Sequence, residues 1–379
     1  MSNANLPSGQ PCIPPRLPLA QLDWGRLVSP LGKANRAIAH YDGVLRNVPN
    51  PAVLLSPLTA NEAVLSSKIE GTQATLQEVL EFESGEETKE PELRADIFEI
   101  INYRKALHAA RAFLEEKPLH LGTLLRAHDI LLDSVRGHNK ARGKFRTVQN
   151  WIGRQGTNLG QARFIPPGPL DLPDALNNFE NYLHFEEQDP IAQLGIIHAQ
   201  FEILHPFLDG NGRVGRMLIP LFLYEKKVLG SPMFYLSSYL EAHRQEYCDR
   251  LLAITEQGDW EGWLLFFLEA IRVQADANAQ QAKDILALYD RLLTELPKLT
   301  HSQFAAVALD ALFIAPVFRQ ADFVKRSKIP KASGSRIVGI LLEKGVLETL
   351  RPGSGRRSSI LRFPALMEIV NREQFKSRT

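Results

Sequence analysis

The string His205-Pro206-Phe207-Leu208-Asp209-Gly210-Asn211-Gly212-Arg213-Val214-Gly215-Arg216 constrains this chain more than any other segment. It joins two helix-forming runs, Ile191–Leu204 and Gly212–Lys226. Pro206 is poorly compatible with continuing the first helix, which therefore delivers His205 at its end. Gly210 and Gly212 permit a tight turn, and their lack of a side chain lets an anion approach backbone N–H groups. The second helix adds free N–H donors and the positive end of its dipole. Arg213 and Arg216 share one side of its first turn. Two cations there oppose the dipole unless an anion sits between them. Asp209 is a hard oxygen ligand able to hold Mg2+ while phosphates complete the coordination. Taken alone, Asp-Gly-Asn-Gly is also a common turn. It is not a calcium loop, because the alternating acids and the distant Glu are missing.

Helical periodicity dominates elsewhere. Helices are predicted over Pro30–Arg46, Leu58–Glu70, Leu76–Glu83, Pro91–Leu114, Leu119–Ser134, Asp171–Phe185, Ser237–Gln257 and Trp260–Leu296. The Pro-rich residues 1–20 predict an extended arm, and the acidic run Glu81–Glu92 a solvated connector. Phe145–Gly153 and Ala162–Ile165, closed by Pro166-Pro167, predict a β-hairpin. With 379 residues, 44% of them hydrophobic, the chain can bury the cores of two or three domains. Two cysteines, Cys12 and Cys248, are too few to staple it and predict free thiols in a reducing compartment. The start Met1–Pro7 has no signal-peptide pattern. No apolar stretch approaches the roughly 20 residues of a membrane span. A cytoplasmic protein without membrane contact is expected.

The net charge of +1 names no partner, but it is unevenly spread. From Lys325 to Thr379, 13 Lys and Arg face 4 Asp and Glu, so this tail carries +9 and the remainder −8. The tail reads as helix, short helix, helix, then strands Val346–Leu350 and Ile360–Phe363 about the turn Pro352-Gly353-Ser354-Gly355. That order resembles a winged helix-turn-helix.

The string from His205 to Arg216 resembles the Fic family signature, His-x-Phe-x-Asp/Glu-Gly-Asn-Gly-Arg-x-x-Arg, at every defined position. Residues 15–290 share the resemblance. It implies a mainly α fold: a Fic-type helical bundle with a small β-hairpin flap, plus the C-terminal winged helix-turn-helix. The implied domains are an N-terminal segment with an inhibitory helix (1–90), a catalytic domain (91–296) and the winged-helix-like tail (297–379). The implied activity is transfer of AMP from ATP to a Ser, Thr or Tyr hydroxyl of a target protein or of the chain itself.

On that resemblance His205 is the general base, and Asp209 holds Mg2+ between the α- and β-phosphates. Gly210, Asn211 and Gly212 line the α-phosphate, Arg213 and Arg216 grip the β- and γ-phosphates, and Phe207 pins the loop by burying its ring. Gly212 stands where kinase-like relatives have Lys, which argues for nucleotidyl over phosphoryl transfer. His198 reads as a hydrogen-bonded core histidine. Tyr247 has two readings of equal weight, an adenine contact or an ordinary amphipathic-helix tyrosine, and Cys248 stands where some relatives carry a second tyrosine. Arg163, Phe164, Ile165 and Pro166 resemble the target-docking flap, which would take an extended target by strand addition.

Ser66-Ser67-Lys68-Ile69-Glu70-Gly71 resembles the family's inhibitory motif. Ser66 and Glu70 share a helical face, and Gly71 fits the C-terminal cap. The resemblance implies that Glu70 pairs with Arg216 and blocks the γ-phosphate grip, or positions water to remove AMP. Two other functions stay open. One is an ATP-sensing DNA-binding regulator acting through Lys331–Lys344, with Ser333, Ser335 and Arg336, and a wing with Arg351, Arg356 and Arg357. The other is transfer of a different nucleotide by the same loop. The target protein and a homodimer are open as well.

Overall fold

The computed structural model describes residues 10–133, 140–153, 158–353 and 358–375. Among these residues the chain is mainly helical, with one three-stranded sheet. It sorts into two compact units: Met1–Asp42 with Asn102–Asp276 and Phe375–Thr379, and Gly43–Ile101 with Ala277–Gln374. The units interleave along the chain.

In the first unit the central element is the helix Pro190–Leu204, whose residues are all buried except Pro190 and Glu202. A helix apolar on every side has no face to give to water and lies inside its bundle. Asp189 caps it, accepting from the N–H groups of Ile191 (2.7 Å) and Ala192 (3.1 Å), and Pro190 takes the first position, where a missing N–H is harmless. The helices Leu172–Leu183, Asn211–Glu225 and Arg244–Gln257 pack on it. Gly195 admits a further neighbour, since a Cβ there would lie 2.8 Å from Leu264 Cδ2 and 3.0 Å from Phe267 Cδ1. Buried Trp263 donates its indole N–H to the Gly195 carbonyl at 2.9 Å.

Three expectations in this unit are corrected. The first helix begins at Trp24, with Pro30 inside it. Burial of Leu27 and Leu31 offsets the backbone bond the proline removes. The expected helix Ser237–Gln257 is two helices, Ser237–Ala242 and Arg244–Gln257, broken at His243. There the imidazole bonds the Tyr239 carbonyl (2.9 Å), which also accepts the His243 N–H (3.0 Å), and stacks on the Tyr239 ring. The expected hairpin is a single antiparallel bridge, Ile152 with Phe164. The Arg146 N–H is drawn to the Pro206 carbonyl (2.9 Å) and the Gln149 side-chain amide occupies the Pro166 carbonyl (2.9 Å), and among the described residues no ladder extends from the bridge. Residues 154–157, between the expected strands, lie outside the described residues.

In the second unit the helix Ser56–Ile69 ends as a Schellman cap. Gly71 has φ 109°, its N–H donates to the Lys68 carbonyl (3.0 Å), and the Thr72 N–H donates to the Ser67 carbonyl (3.3 Å). A capping box of Thr75 and Glu78 starts Leu76–Glu83. The helix beginning at Trp260 runs to Thr300, with Pro297 inside it. The tail then runs helix Ala305–Ile314, strand Val317–Arg319, helices Gln320–Ser327 and Lys331–Glu343, strands Glu348–Arg351 and Ile360–Arg362, and helix Pro364–Asn371. Ile360–Arg362 is the middle strand, antiparallel to both others. The strand Val317–Arg319 was not expected, because three residues are too few to display an alternation. Nor is the acidic run merely solvated: Glu81 is buried and binds Arg351 (2.6 Å), and Glu86 binds Arg319 (2.8 Å). Of the expected wing, Ser354 to Arg357 lie outside the described residues.

Candidate active site

The helix Pro190–Leu204 ends on His205 with φ 43° and ψ 58°, a left-handed backbone that few non-glycine residues adopt. Three side chains brace the turn beyond it. Arg146 Nε and Asn150 Nδ2 both donate to the His205 carbonyl, at 3.0 and 3.1 Å. Asn150 Nδ2 also reaches the Phe207 carbonyl at 2.9 Å. Buried His128 accepts the Gly143 N–H on Nδ1 (3.0 Å), so its Nε2–H donates to the Asp209 carbonyl (3.0 Å). Burial lowers the His128 pKa to about 4, which keeps that ring neutral.

Phe207 is fully buried, as expected, and stacked 3.8 Å from the His128 ring. The Asn211 side chain is buried too. It accepts the Phe207 N–H (2.8 Å) and donates to the Phe207 carbonyl (2.9 Å), closing the turn on itself. Gly210 has φ 79°, and a Cβ there would come within 3.2 Å of Leu131. Sequence reasoning missed His128, Arg146 and Asn150. Their hydrogen bonds run to backbone carbonyls distant in sequence, which leaves no spacing to read.

The helix Asn211–Glu225 then starts, with Arg213 and Arg216 both buried. Arg213 meets Asp209 at 3.1 Å, while the Asp209 side chain stays 39% exposed, open to a ligand from solvent. His198 is fully buried: its Nδ1–H donates to the Gly215 carbonyl (3.1 Å) and its Nε2 accepts the Tyr247 hydroxyl (2.9 Å). Burial, aided by the Arg216 charge, lowers the His198 pKa to about 3. It is the hydrogen-bonded core histidine the sequence predicts. Tyr247 is buried, with its ring beside Trp263 and its hydroxyl on His198.

In the segment expected to form the flap, exposed Arg163 forms an ion pair with Asp249, and Ile165 and Pro166 are buried. The Ile165 carbonyl accepts the N–H of Cys12, from the chain's own N-terminal arm (2.8 Å). Both cysteines are free thiols, and burial raises the Cys12 pKa to about 12. The loop, the flap and Tyr247 thus share the first unit. Ser66, Glu70 and Gly71 belong to the second, where Ser66 is buried and Glu70 is an exposed cap residue. Among the described residues no three His, Cys, Asp or Glu side chains are grouped to hold a metal ion. Asp209, one exposed hard carboxylate, fits only a metal whose other ligands come from phosphate and water. No helix among those residues is long and apolar enough to cross a membrane.

Two family models match the chain: Fic/DOC family N-terminal over residues 28–112, and Fic/DOC family over residues 118–223. A probable protein adenylyltransferase of Aquifex aeolicus is 27% identical over 235 residues, covering 58% of this chain and 69% of that protein. The protein adenylyltransferase Fic of Culex quinquefasciatus is 30% identical over 179 residues, covering 45% of this chain but 32% of the mosquito protein. Among solved structures, a Fic family protein from Desulfovibrio desulfuricans superposes with a TM-score of 0.54 at 21% identity, over 93% of this chain and 98% of that one.

Proposed function

The chain belongs to the Fic/DOC family, and from that premise we propose that it is a protein adenylyltransferase working at the loop His205–Arg216. A target hydroxyl gives its proton to His205 as its oxygen attacks the α-phosphorus of ATP. The bond to the β-phosphate oxygen breaks, pyrophosphate leaves, and AMP remains on the protein. The names of the relatives support the reaction class. The observation that carries the reading is the turn itself, which sets His205 at one helix end and the first N–H groups of Asn211–Glu225, with buried Arg213 and Arg216, at the other. Donors and guanidinium forks of that kind suit a polyphosphate. Asp209 would hold Mg2+, which when bound would neutralise charge on the phosphates.

Ser66, Glu70 and Gly71 act as a brake in this reading, with Glu70 competing for Arg216; its support is the resemblance of Ser66–Gly71 to the family's inhibitory motif. The test is incubation with α-labelled ATP and Mg2+. The Glu70→Gly chain should label itself or added protein more than the parent, and His205→Ala should abolish the label. Equal labelling of His205→Ala would sink the proposal. Unchanged labelling of Glu70→Gly would sink the brake alone. A second reading, duplex DNA binding by a winged helix-turn-helix tail, is favoured by the sheet order with Ile360–Arg362 central and by exposed Lys325, Lys328 and Lys331.

A further inference from the structure

Arg146 lies outside the phosphate loop and the docking residues Arg163–Pro166, at the start of the flap's first segment, yet its buried guanidinium reaches both the loop and the flap's far root. Nε donates to the His205 carbonyl at 3.0 Å. Nη2 donates to Leu204 (3.3 Å) and Pro167 (2.6 Å), and Nη1 to Val148 (3.3 Å). Its backbone N–H donates to Pro206 at 2.9 Å. Leu204, His205 and Pro206 are the end of the catalytic helix. Val148 and Pro167 are the two roots of the flap, on either side of the bridge between Ile152 and Phe164. The group is 3% exposed. Burial lowers its pKa to about 10, so it stays charged at neutral pH.

A guanidinium is planar and rigid and only donates. Four carbonyls held by one such plane cannot move independently of one another. Asn150 repeats the link from the flap side through the His205 and Phe207 carbonyls, and Gln149 ties its own root to Pro166 at 2.9 Å. A side chain that only filled space would need no such set of acceptors on two separate segments.

We propose that Arg146 is a positioning residue that couples the target-docking flap to the general base, so that an extended segment pairing with the flap steadies the left-handed backbone presenting His205. This rests on the adenylyltransferase reading, because it takes His205 as the base and the flap as the dock.

The test uses the full chain carrying Glu70→Gly, with α-labelled ATP as the probe and self-labelling as the reaction. Arg146→Lys keeps the charge but loses the fork. It should lower the maximal labelling rate on the order of 10- to 100-fold, since small misplacements of a reacting group are that damaging. The ATP concentration for half-maximal rate should move less than about twofold, as expected when nucleotide binding is spared. Deuterium uptake should rise together in peptides spanning 145–153, 163–168 and 203–208. Uptake rising at 203–208 alone, or at the flap roots alone, would overturn the coupling, as would an unchanged rate. If Arg146→Lys shows no cooperative thermal transition, Asn150→Asp is used instead. It removes the second pair of donors to His205 and Phe207, and the same joint rise in uptake is required of it. If the Glu70→Gly parent takes up no label, the adenylyltransferase reading fails, and exchange alone decides whether Arg146 joins the two segments.

Discussion

In the proposed reaction His205 meets two demands at once: an imidazole for proton transfer and a backbone at φ 43°. Substitutions separate them. Asn tolerates the left-handed region better than Ala. His205→Asn should therefore lose at least roughly 100-fold in transfer rate, the scale of a lost general base, with little change in melting temperature. His205→Ala should lose the same activity and also about 1 kcal/mol of stability, read by calorimetry. Equal melting of the two variants would show that the backbone at 205 carries no strain. Tyr247 can be tested in the same way. Tyr247→Phe leaves the buried His198 Nε2 without the hydroxyl it accepts and should destabilise by about 1–3 kcal/mol. If the hydroxyl serves His198, ATP affinity by calorimetric titration stays within about twofold; a larger loss would restore the adenine contact. His198 also sets a pH dependence. Its folded pKa, about 3, lies below the unfolded value, so the unfolded chain binds the proton first as pH falls. Stability from this group is complete above about pH 6.5 and declines on acidification, by roughly 2 kcal/mol at pH 5. Urea midpoints at pH 7 and 5 should show this slope, flattened in His198→Gln. At this scale the loop was legible because its residues are contiguous. Arg146 and His128 were not, since their carbonyl partners lie 59 and 81 positions away.

Helices were readable where their ends carry chemistry of their own. Asp189-Pro190, the Thr75–Glu78 box and Gly71 each satisfy backbone groups locally, so those ends could be placed from sequence to within two residues. Where a tertiary contact decides, the pattern misled. The break falls at His243, whose backbone leaves the helical range at φ −115° and ψ 30° with no glycine or proline to announce it. Among the described residues the expected hairpin is reduced to the bridge Ile152 with Phe164, while the Arg146 N–H bonds Pro206 outside the expected ladder. The close approach of two central helices at Gly195 is equally invisible in periodicity and gives a direct test. Gly195→Ala places a methyl against Leu264 and Phe267, both buried. Overpacking of this kind should lower unfolding free energy by about 1–3 kcal/mol despite the better helix propensity of Ala. A more stable Gly195→Ala chain, measured by urea unfolding, would mean that the contact relaxes without strain.

The whole chain is nearly neutral, but its charge is partitioned, and the partition matters for the DNA reading of the tail. Of the basic residues expected to meet phosphate, Arg351 binds Glu81 and Arg336 donates to the Thr300 carbonyl at 2.8 Å. The sequence alone could not show this, because a count of Lys and Arg does not reveal internal partners. Exposed cations about the turn between Gln320–Ser327 and Lys331–Glu343, Lys325, Lys328 and Lys331 among them, are better placed to meet a phosphate backbone. Duplex binding through them would release condensed counterions, so log affinity should fall linearly with log salt, by about 0.9 per phosphate neutralised. Lys328→Gln with Lys331→Gln should therefore reduce that slope by roughly 2 and weaken binding to unrelated duplexes alike. Arg351→Gln should change the slope little, because its loss falls on an internal ion pair. Fluorescence anisotropy with a labelled duplex across a salt series measures all three. No binding by the parent at low salt, or an unchanged slope in the double variant, would remove DNA from the account and leave the tail as a helical and sheet element packed on its own acidic partners.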